Sequence, residues 1–316
     1  MMLLPCPEVI CTHESDLDGL VSGLLLQRLA RHVYSMEVPL EAYNYQAWRS
    51  RRMAEDAAWV ADFTLESRLD KPGWMLVDHH TTTFRPRCAR AIHDTTKSAS
   101  LLCYGLLCEH GLGSPVLDRL VHLANVGDLF VESDPDFELA CDCGSLVKAY
   151  GFWDLHSVIG GVAEAILGHP LLEVMATRRR VEDPIGLELA LRGIVEISPE
   201  VAMVRAPVGN TNLIVHKILN QRAVPHPVVV SLHRRGNGSY VASFRSLKGE
   251  ALAVATRFEG GGGHPNAAGA TLPKLNSLEA AIDHLRARLA PGGGQRHGLQ
   301  SMSGSFGGLQ WPGEGR

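Results

Sequence analysis

The chain has 316 residues, of which 45% are hydrophobic, and its formal net charge at neutral pH is -4. A chain of this length is expected to form about two domains, and its apolar content suffices for an ordinary globular core. The slightly acidic balance argues against a broad nucleic-acid-binding surface, which is normally basic. A short anionic ligand in a local pocket is compatible with it, because the local charge counts there rather than the sum.

The cysteine content indicates a reducing compartment. There are seven cysteines, an odd number, and most lie within apolar runs, which is typical of free thiols in a cytoplasmic protein. The amino terminus lacks a basic segment followed by a long apolar one, and no apolar run reaches about 18 residues. The sequence therefore predicts a cytoplasmic protein without membrane contact.

The first half of the chain alternates between strand and helix patterns. Short apolar runs predict strands, and capped or amphipathic segments between and after them predict helices. Such alternation is typical of an α/β fold with a mostly parallel sheet and helices on both faces. The predicted strands cover 8–12, 37–43, 57–61, 74–77 and 89–93, and the predicted helices cover 19–32, 98–110 and 114–124, followed by a mostly helical stretch over 144–196.

The second half changes character between Pro199 and Pro207. Two strand patterns separated by a turn, with two helix patterns behind them, predict a smaller α+β domain. The strands cover 228–232 and 240–244, and the helices cover 250–258 and 277–290. We therefore divide the chain into an amino-terminal domain with a helical connector (1–195), a carboxyl-terminal domain (196–290) and a disordered tail rich in Gly, Ser and Gln (291–316).

Acids and histidines directly follow three of the predicted strands. The first strand leads into a histidine and two aspartates, the third into one aspartate, and the fourth into an Asp-His-His triplet. Ligands of open α/β sheets bind at the carboxyl ends of the strands, so we expect these side chains to converge. They are His13, Asp16, Asp18, Asp62, Asp78, His79 and His80, and Asp128 adds a carboxylate behind a predicted helix.

Each of these residues has an ordinary explanation when it is taken alone. Asp16 and Asp18 suit a helix amino terminus, and Asp62 and Asp128 suit turns. Taken together, the side chains offer enough oxygens and imidazoles for two divalent cations. The histidines favour Mn²⁺, and Mg²⁺ is the second candidate. Asp78 is placed to orient an imidazole through its second nitrogen.

A glycine run, 260–263, precedes His264 near the carboxyl-terminal end. A bare glycine run is often a flexible turn. Small residues follow this one, which favours an ordered site where backbone N–H groups approach an anion closely. His264 and the upstream Arg245 could supply positive charge there.

The order of these motifs resembles that of the DHH phosphoesterase family, and the carboxyl-terminal signature is similar to the DHH-associated domain of that family. The resemblance covers about residues 8–290 and is specific because several motifs occur in the right order. The two-domain size resembles the nanoRNase and oligoribonuclease members. The matching segments are Asp16-x-Asp18-Gly19, Asp62, Asp78-His79-His80, Asp128, Ser243-Phe244-Arg245-Ser246 and Gly261-Gly262-Gly263-His264-x-x-Ala267-Ala268-Gly269.

The resemblance implies a catalytic amino-terminal domain and a substrate-binding carboxyl-terminal domain. It implies that Asp62 bridges two cations, that His80 contacts the scissile phosphate, and that Asp78 supports catalysis. Only two residues separate His13 from Asp16, one fewer than in many members. The implied metal ligands are His13, Asp16, Asp18, Asp62, His79 and Asp128, and the implied substrate-binding residues are His80, Arg245, Ser246, Gly261, Gly262, Gly263 and His264.

The activity implied by the resemblance is hydrolysis of short oligonucleotides or small nucleotides by a two-metal mechanism. Linear dinucleotides and 3′-phosphoadenosine 5′-phosphate belong to this substrate class. The implied partner is therefore a short single-stranded or mononucleotide substrate, and a homodimer is compatible with the sequence. Two alternatives stay open: a RecJ-like exonuclease for long single strands, and a nucleotide-binding regulator with weak catalysis.

Overall fold

Five short strands form a fully parallel sheet in the amino-terminal half of the chain. The structure, a computed structural model, describes residues 4–290, so the predicted tail 291–316 lies outside the described residues. The strands are β1 (Val9–His13), β2 (Leu40–Tyr43), β3 (Ala58–Ala61), β4 (Trp74–Asp78) and β5 (Arg90–His93). Their spatial order is β2-β1-β3-β4-β5.

The strand order places a topological switch point between β1 and β3. The chain leaves β1 towards β2 on one side and later returns to β3 on the other side. In open α/β sheets this divergence opens a crevice at the carboxyl ends of the strands, where ligands bind. The strands followed by the acid and histidine motifs, β1, β3 and β4, are neighbours, so their motifs reach one edge of the sheet.

Both faces of this sheet are buried. Ile10, Trp59 and Met75 belong to one hydrophobic core, and the alternate residues Cys11 and Val60 belong to a second core on the other face. Burial on both faces explains why these strands are continuous apolar runs rather than alternating patterns. The predicted α/β fold class is confirmed.

Helices cover the sheet and lead towards the second half of the chain. The predicted strand 37–43 begins only at Leu40, because Pro39 has no N–H to donate to a neighbouring strand. Asp128 is the last residue of its helix rather than a residue beyond it. The helices are α1 (Leu17–Tyr34), α2 (Tyr45–Ser50), α3 (Ala99–Glu109), α4 (Pro115–Asp128), α5 (Phe137–Tyr150), α6 (Phe152–Val158) and α7 (Leu171–Arg192).

A six-stranded mixed sheet forms the carboxyl-terminal half. Its strands are β6 (Val195–Ser198), β7 (Val201–Val204), β8 (Val228–Arg234), β9 (Ser239–Ser246), β10 (Gly262–His264) and β11 (Ala267–Lys274). They lie in the order β10-β11-β9-β8-β7-β6, in which β7 and β8 are parallel and the other neighbours antiparallel. The accompanying helices are α8 (Thr211–Asn220), α9 (Glu250–Ala255) and α10 (Leu278–Leu289).

Five elements of this domain, β6, β7, α8, β10 and β11, were not predicted from the sequence. β6 and β7 have four residues each and form a tight hairpin, so neither is long enough to give a period. The predicted helical stretch to 196 therefore ends too late, because Val195 and Glu196 already belong to β6. The helices pack on opposite faces, with α9 and α10 on one core and α8 on another.

The predicted domain boundary at 195/196 falls at the start of the second sheet, and this division stays a prediction. The sequence predicts that no segment spans a membrane. Over residues 4–290, none of the helices combines the length and the apolar character that crossing a bilayer requires.

Candidate active site

The carboxyl ends of β1 and β3 bring His13 and Asp62 together. Nδ1 of His13 lies 2.8 Å from Oδ2 of Asp16 and 3.6 Å from Oδ2 of Asp62. These three side chains, the first ligand group, each offer an atom within 4.8 Å of the others. Two carboxylates and one imidazole at this spacing are a suitable start for a divalent cation site.

A second ligand group, Asp18, His79 and Asp128, lies beside the first. Nε2 of His79 is 3.4 Å from Oδ2 of Asp128 and 3.9 Å from Oδ2 of Asp18. The same nitrogen is 3.4 Å from Oδ1 of Asp62. One oxygen of Asp62 therefore faces each group, and all six sequence-predicted metal ligands are brought to one place.

Asp62 occupies a strained position between the two groups. Its φ angle is 60°, in the left-handed region that a non-glycine residue rarely adopts. Its backbone N–H donates to the carbonyl of Val77 on β4, which keeps it against the sheet edge. Strained residues of this kind concentrate at functional sites, and here the strain aims a buried carboxylate into the crevice.

Asp16 combines the capping role and the proposed ligand role. Its Oδ1 accepts a hydrogen bond from the backbone N–H of Gly19 at 3.0 Å and so caps α1, while Oδ2 faces His13. The turn is tight: a Cβ on Gly19 would lie 2.0 Å from the carbonyl oxygen of His13. The spacing of two residues between His13 and Asp16 is therefore compatible with both side chains reaching the first ligand group.

Asp18 is oriented by a different helix. Its two carboxylate oxygens accept hydrogen bonds from the backbone N–H groups of Ala99 and Ser100, at 2.8 and 2.9 Å. These N–H groups belong to the first turn of α3, whose dipole favours an anion there. The contact holds Asp18, which is 1% exposed, with Oδ2 directed towards His79.

The two ligand-group histidines hold protons tightly in the absence of another cation. Burial disfavours the charged form of His13, but the carboxylates of Asp16 and Asp62 outweigh it and raise the pKa of His13 to about 11. Burial also opposes charge on His79, but the surrounding carboxylates, Asp62 first, raise the pKa of His79 to about 10. Protons thus supply positive charge that the crowded carboxylates require.

The pKa values of the aspartates in the two ligand groups are also displaced. Burial, together with the charge of Asp62, raises the pKa of Asp18 to about 6, and burial raises the pKa of Asp128 well above its usual range. Asp62 behaves in the opposite way. Burial alone would raise its pKa, but His13 and His79 hold it below the usual range. Asp62 therefore stays ionised, whereas the neighbouring histidines and aspartates hold protons more tightly.

Unpaired buried atoms identify where a cation would fit. Among the described residues, no hydrogen-bond partner exists for either ring nitrogen of His79. Oδ2 of Asp62 has no such partner there either. Buried polar atoms are normally paired, so such atoms call for a ligand or an ion. Carboxylate oxygens with some imidazole nitrogen match the preference of Mn²⁺ and related divalent cations. The residues present therefore fit the metal requirement of the motif.

His80 contacts two residues outside the two ligand groups, Asp78 and Tyr45. Its Nδ1 lies 2.7 Å from Oδ1 of Asp78, and its Nε2 lies 3.1 Å from the hydroxyl of Tyr45. Burial opposes its charged form, but Asp78 and Asp62 raise the pKa of His80. The sequence-based prediction that Asp78 orients an imidazole agrees with this geometry. Tyr45 was missed because a lone tyrosine beyond a short strand gives no signal by itself.

A cleft of about 860 Å³ opens from the ligand groups towards the carboxyl-terminal half. Asp16, Asp18 and Asp128 line it on one side, and Arg245, Ser246 and His264 line it on the other. The ring of His264 lies 5.7 Å from that of His79 and 5.5 Å from that of His80. The sequence-predicted residues of the two halves therefore face one another across a common space.

Two cations, Arg245 and Lys148, line the cleft. Among the described residues, the side chains of Arg245 and Lys148 form neither a hydrogen bond nor an ion pair. Burial lowers the pKa of Arg245. Lys148 retains exposed surface, yet the surrounding protein lowers its pKa as well. Lys148 was missed in the sequence, because one lysine on a helix has no distinguishing pattern.

The glycine run has a packing role in this structure. A Cβ on Gly261 would lie 1.9 Å from the carbonyl oxygen of Ala255, and Gly263 has a φ of 136°. Gly262 and Gly263 pair with β11 in a strand rather than forming a loop. Gly261, Gly262 and Gly263 are not among the residues that line the cleft, so their predicted substrate contact stays a prediction.

Ser246 lines the cleft, but its hydroxyl contacts other groups of the protein. Its hydroxyl accepts a hydrogen bond from the backbone N–H of Ala251 at 3.0 Å, and it lies 3.4 Å from Oδ1 of Asn266. Ser246 is 3% exposed. It therefore holds the start of α9 and the segment beside His264 in place, and its direct substrate contact stays a prediction.

Comparison with known proteins gives a family match for the carboxyl-terminal domain and similar folds for the whole chain. Residues 201–290 match the DHHA1 domain family. No curated protein sequence is significantly similar to the chain. Among solved structures, the pGpG-specific phosphodiesterase PggH from Vibrio cholerae superposes with a TM-score of 0.52 at 13% identity, covering 89% of this chain and 99% of its own.

A second solved structure, the DHH domain of a member of the s1p family of ribosomal proteins, gives a TM-score of 0.51 at 13% identity. The alignment covers 89% of this chain and 86% of the other. At these identities the likeness shows a shared fold, which extends over both halves of the chain. The shared fold and the DHHA1 match over 201–290 agree with the resemblance of the ordered acid and histidine motifs to those of DHH phosphoesterases.

Proposed function

We propose that this protein is a divalent-metal-dependent phosphodiesterase that hydrolyses short oligonucleotides or small nucleotides. The observation that carries the proposal is the position of Asp62, whose two carboxylate oxygens face separate ligand groups. A carboxylate shared in this way would contribute a ligand to each of two divalent cations. The first group would hold one ion and the second group the other, with Mn²⁺ favoured by the imidazoles.

The bound ions would activate a water molecule and offset the negative charge of the reacting phosphate. The chain's own residues then have distinct tasks. Asp78 fixes the ring of His80 through Nδ1, which leaves Nε2 directed towards the space near Tyr45. We assign His80 to the scissile phosphate, where a preorganised donor stabilises developing charge.

The opposite wall of the cleft supplies charge for the rest of the substrate. Arg245 lies on that wall, Lys148 of α5 lines the same cleft, and His264 lies against the two histidines of the triplet. Charge-assisted hydrogen bonds to phosphate are about twice as strong as neutral ones. We therefore assign these three residues to substrate binding rather than to the chemical step.

The size of the cleft supports a small substrate. A volume of about 860 Å³ lies within the range of about 300–1,000 Å³ that is usual for small-molecule sites. The similar Vibrio protein is described as specific for pGpG, a linear dinucleotide, which supports that substrate class here. Free cysteines agree with a cytoplasmic location, which we also propose.

Hydrolysis of matched substrates tests the proposal. We expect Mn²⁺-dependent turnover of a linear dinucleotide and a pentanucleotide by the full chain, with no turnover in excess EDTA. Steeply salt-dependent degradation of a 30-nucleotide strand, with little action on the dinucleotide, would instead indicate the RecJ-like exonuclease. Tight dinucleotide binding without turnover of it or of bis-para-nitrophenyl phosphate would indicate the regulator.

A further inference from the structure

A second large cavity lies next to the active-site cleft. It encloses about 790 Å³ between α5 and α7 on one side and the β7–α8 segment, β8 and β9 on the other. None of the six metal-ligand residues lines it. We call it the basic groove, after the cations in its wall: Lys148, Arg178, Arg179, Arg205 and Arg234.

The charge of the basic groove contrasts with that of the whole chain. Five lysine and arginine side chains line it against two carboxylates, Glu182 and Asp183, whereas the chain carries a net charge of -4. A concave surface with one prevailing sign of charge concentrates ligands of the opposite sign. The groove therefore suits an anion.

Some of these cations are already neutralised, and others are not. Arg178 lies 3.0 Å from Glu182, and Arg179 lies 2.8 Å from Asp142, so neither pair adds much net charge. Within the described part of the chain, Arg205 and Arg234 have no ion pair or side-chain hydrogen bond. Both are exposed and can contact an incoming phosphate, although the charge of Arg205 also acts on the nearby carboxylate of Glu279.

The basic groove is continuous with the active-site cleft. Lys148, Asn210 and Asn212 line both cavities, so a chain of phosphates could pass from one to the other without leaving the protein surface. Asn210 also caps α8, whose amino terminus has a positive dipole end at this junction. Apolar side chains of the groove, including the half-buried Leu232 and Leu278, offer surface for a nucleobase.

We propose that the basic groove binds the part of an oligonucleotide that extends beyond the nucleotides held in the active-site cleft. The inference rests on the proposed function and refines its substrate class. The enzyme then acts on oligonucleotides of several residues as well as on dinucleotides, and Arg205 and Arg234 determine its preference for the longer ones. Neither arginine touches the reacting phosphate.

The test compares two substrates and two charge-matched variants. In the first variant, Arg205→Gln and Arg234→Gln are combined. In the control, Lys274→Gln and Arg288→Gln remove the same charge from exposed positions of the same domain that line neither cavity. Hydrolysis of a dinucleotide and a pentanucleotide is measured over a salt series, and anisotropy of a labelled pentanucleotide is measured without divalent ions.

We expect the arginine variant to raise KM for the pentanucleotide about tenfold with kcat unchanged, as for an interaction made equally in the ground and transition states. Its kcat/KM for the dinucleotide should stay within about twofold of wild type. The slope of log affinity against log salt for the pentanucleotide should become shallower by about 1.4, since each single-strand phosphate contact contributes about 0.7. The control variant should leave all of these quantities at their wild-type values.

Three results would contradict the proposal that the basic groove binds the extended part of an oligonucleotide. One is equal weakening for the two substrates, another is no weakening for either, and the third is activation by a free mononucleotide through the two arginines, which would make the groove a regulatory site. Failure of the proposed function looks different: the wild-type protein would hydrolyse neither substrate with Mn²⁺. The anisotropy measurement would still decide whether the groove holds a pentanucleotide.

Discussion

The two halves of the molecule contribute opposite charges to one cleft. The edge of the parallel sheet presents buried carboxylates after β3 and at two helix ends, and their pKa values are displaced by burial and by neighbouring charges. The mixed sheet presents Arg245 and His264 in a less crowded environment, and α5 adds Lys148. We propose that one side holds cations and that the other holds an anion.

The contrast predicts that substitutions on the two sides change different quantities. A change at the carboxylate edge should remove metal binding and therefore kcat, because the charge there has no other compensation. A change on the basic side should raise KM, because solvent and neighbouring cations partly replace the lost contact. The predictions below follow this division, from the largest expected effect to the smallest.

Asp62→Asn should have the largest effect. Asparagine tolerates the left-handed backbone at this position and keeps the side-chain shape, so the change removes mainly charge. We expect kcat/KM to fall on the order of 10³-fold, because residues that act as a unit lose function together. Calorimetry should also show weaker Mn²⁺ binding, with fewer ions bound per chain.

A metal-dependent stability measurement provides a second readout for this variant. Mn²⁺ at about 100 times its Kd should stabilise the wild-type fold by about 2.7 kcal/mol in thermal unfolding, and Asp62→Asn should lose most of this gain. The exposed Asp56→Asn is the matched control and should behave as wild type. Normal metal stabilisation in Asp62→Asn would contradict the shared-carboxylate assignment.

Gly19→Ala should damage the carboxylate edge through its geometry rather than its charge. The new Cβ would lie 2.0 Å from the carbonyl oxygen of His13, so α1 must move away from β1. We expect a loss of about 1–3 kcal/mol in the free energy of unfolding. A shift of about 1 Å in the helix that carries Asp18 should lower kcat/KM about 10²-fold.

Gly105→Ala is the control for this steric effect. Gly105 is an exposed position inside α3, and an added Cβ there would meet nothing within 4 Å. Alanine should stabilise that helix by about 0.5–1 kcal/mol. If Gly19→Ala unfolds at the same denaturant concentration as wild type, the close approach between α1 and β1 is not required.

Arg245→Gln tests the basic side of the cleft. Loss of a hydrogen bond to a charged group is equivalent to about 1.5–3 kcal/mol, so KM for a dinucleotide should rise about 10- to 100-fold. The change in kcat should be small, and Mn²⁺ stabilisation should be unchanged. Arg288→Gln, an exposed arginine on α10, should leave KM unaltered. A loss of kcat with constant KM would place Arg245 in the chemical step.

Tyr45→Phe should produce the smallest effect. It removes the hydroxyl that lies 3.1 Å from Nε2 of His80 but keeps the ring, which packs 5.0 Å from the ring of His13. One hydrogen bond contributes about 1 kcal/mol, so kcat/KM should decrease about fivefold. Metal binding should not change. A decrease as large as that of Asp62→Asn would mean that the tyrosine belongs to the ligand groups.

The sequence was most informative where an apolar run is followed directly by acids or histidines. The apolar runs before His13, Asp62 and Asp78 predicted buried parallel strands, and a sheet buried on both faces follows from them. The hairpin of β6 and β7 gave no comparable signal, because its strands are too short to show a hydrophobic period. The helix α8 gave none either. Short elements of this kind are stabilised by tertiary packing rather than by their own pattern.

By itself, the sequence determined the fold class and the set of candidate ligands, because strand burial and residue chemistry are local properties. Only the tertiary structure decided how these ligands divide, with Asp62 directed to both groups and Asp16 serving as cap and neighbour of His13. It also decided that Lys148 faces Arg245 across a cleft and that Gly261 and Gly263 satisfy packing. Distances between residues far apart in the chain depend on how the elements pack, which no local pattern specifies.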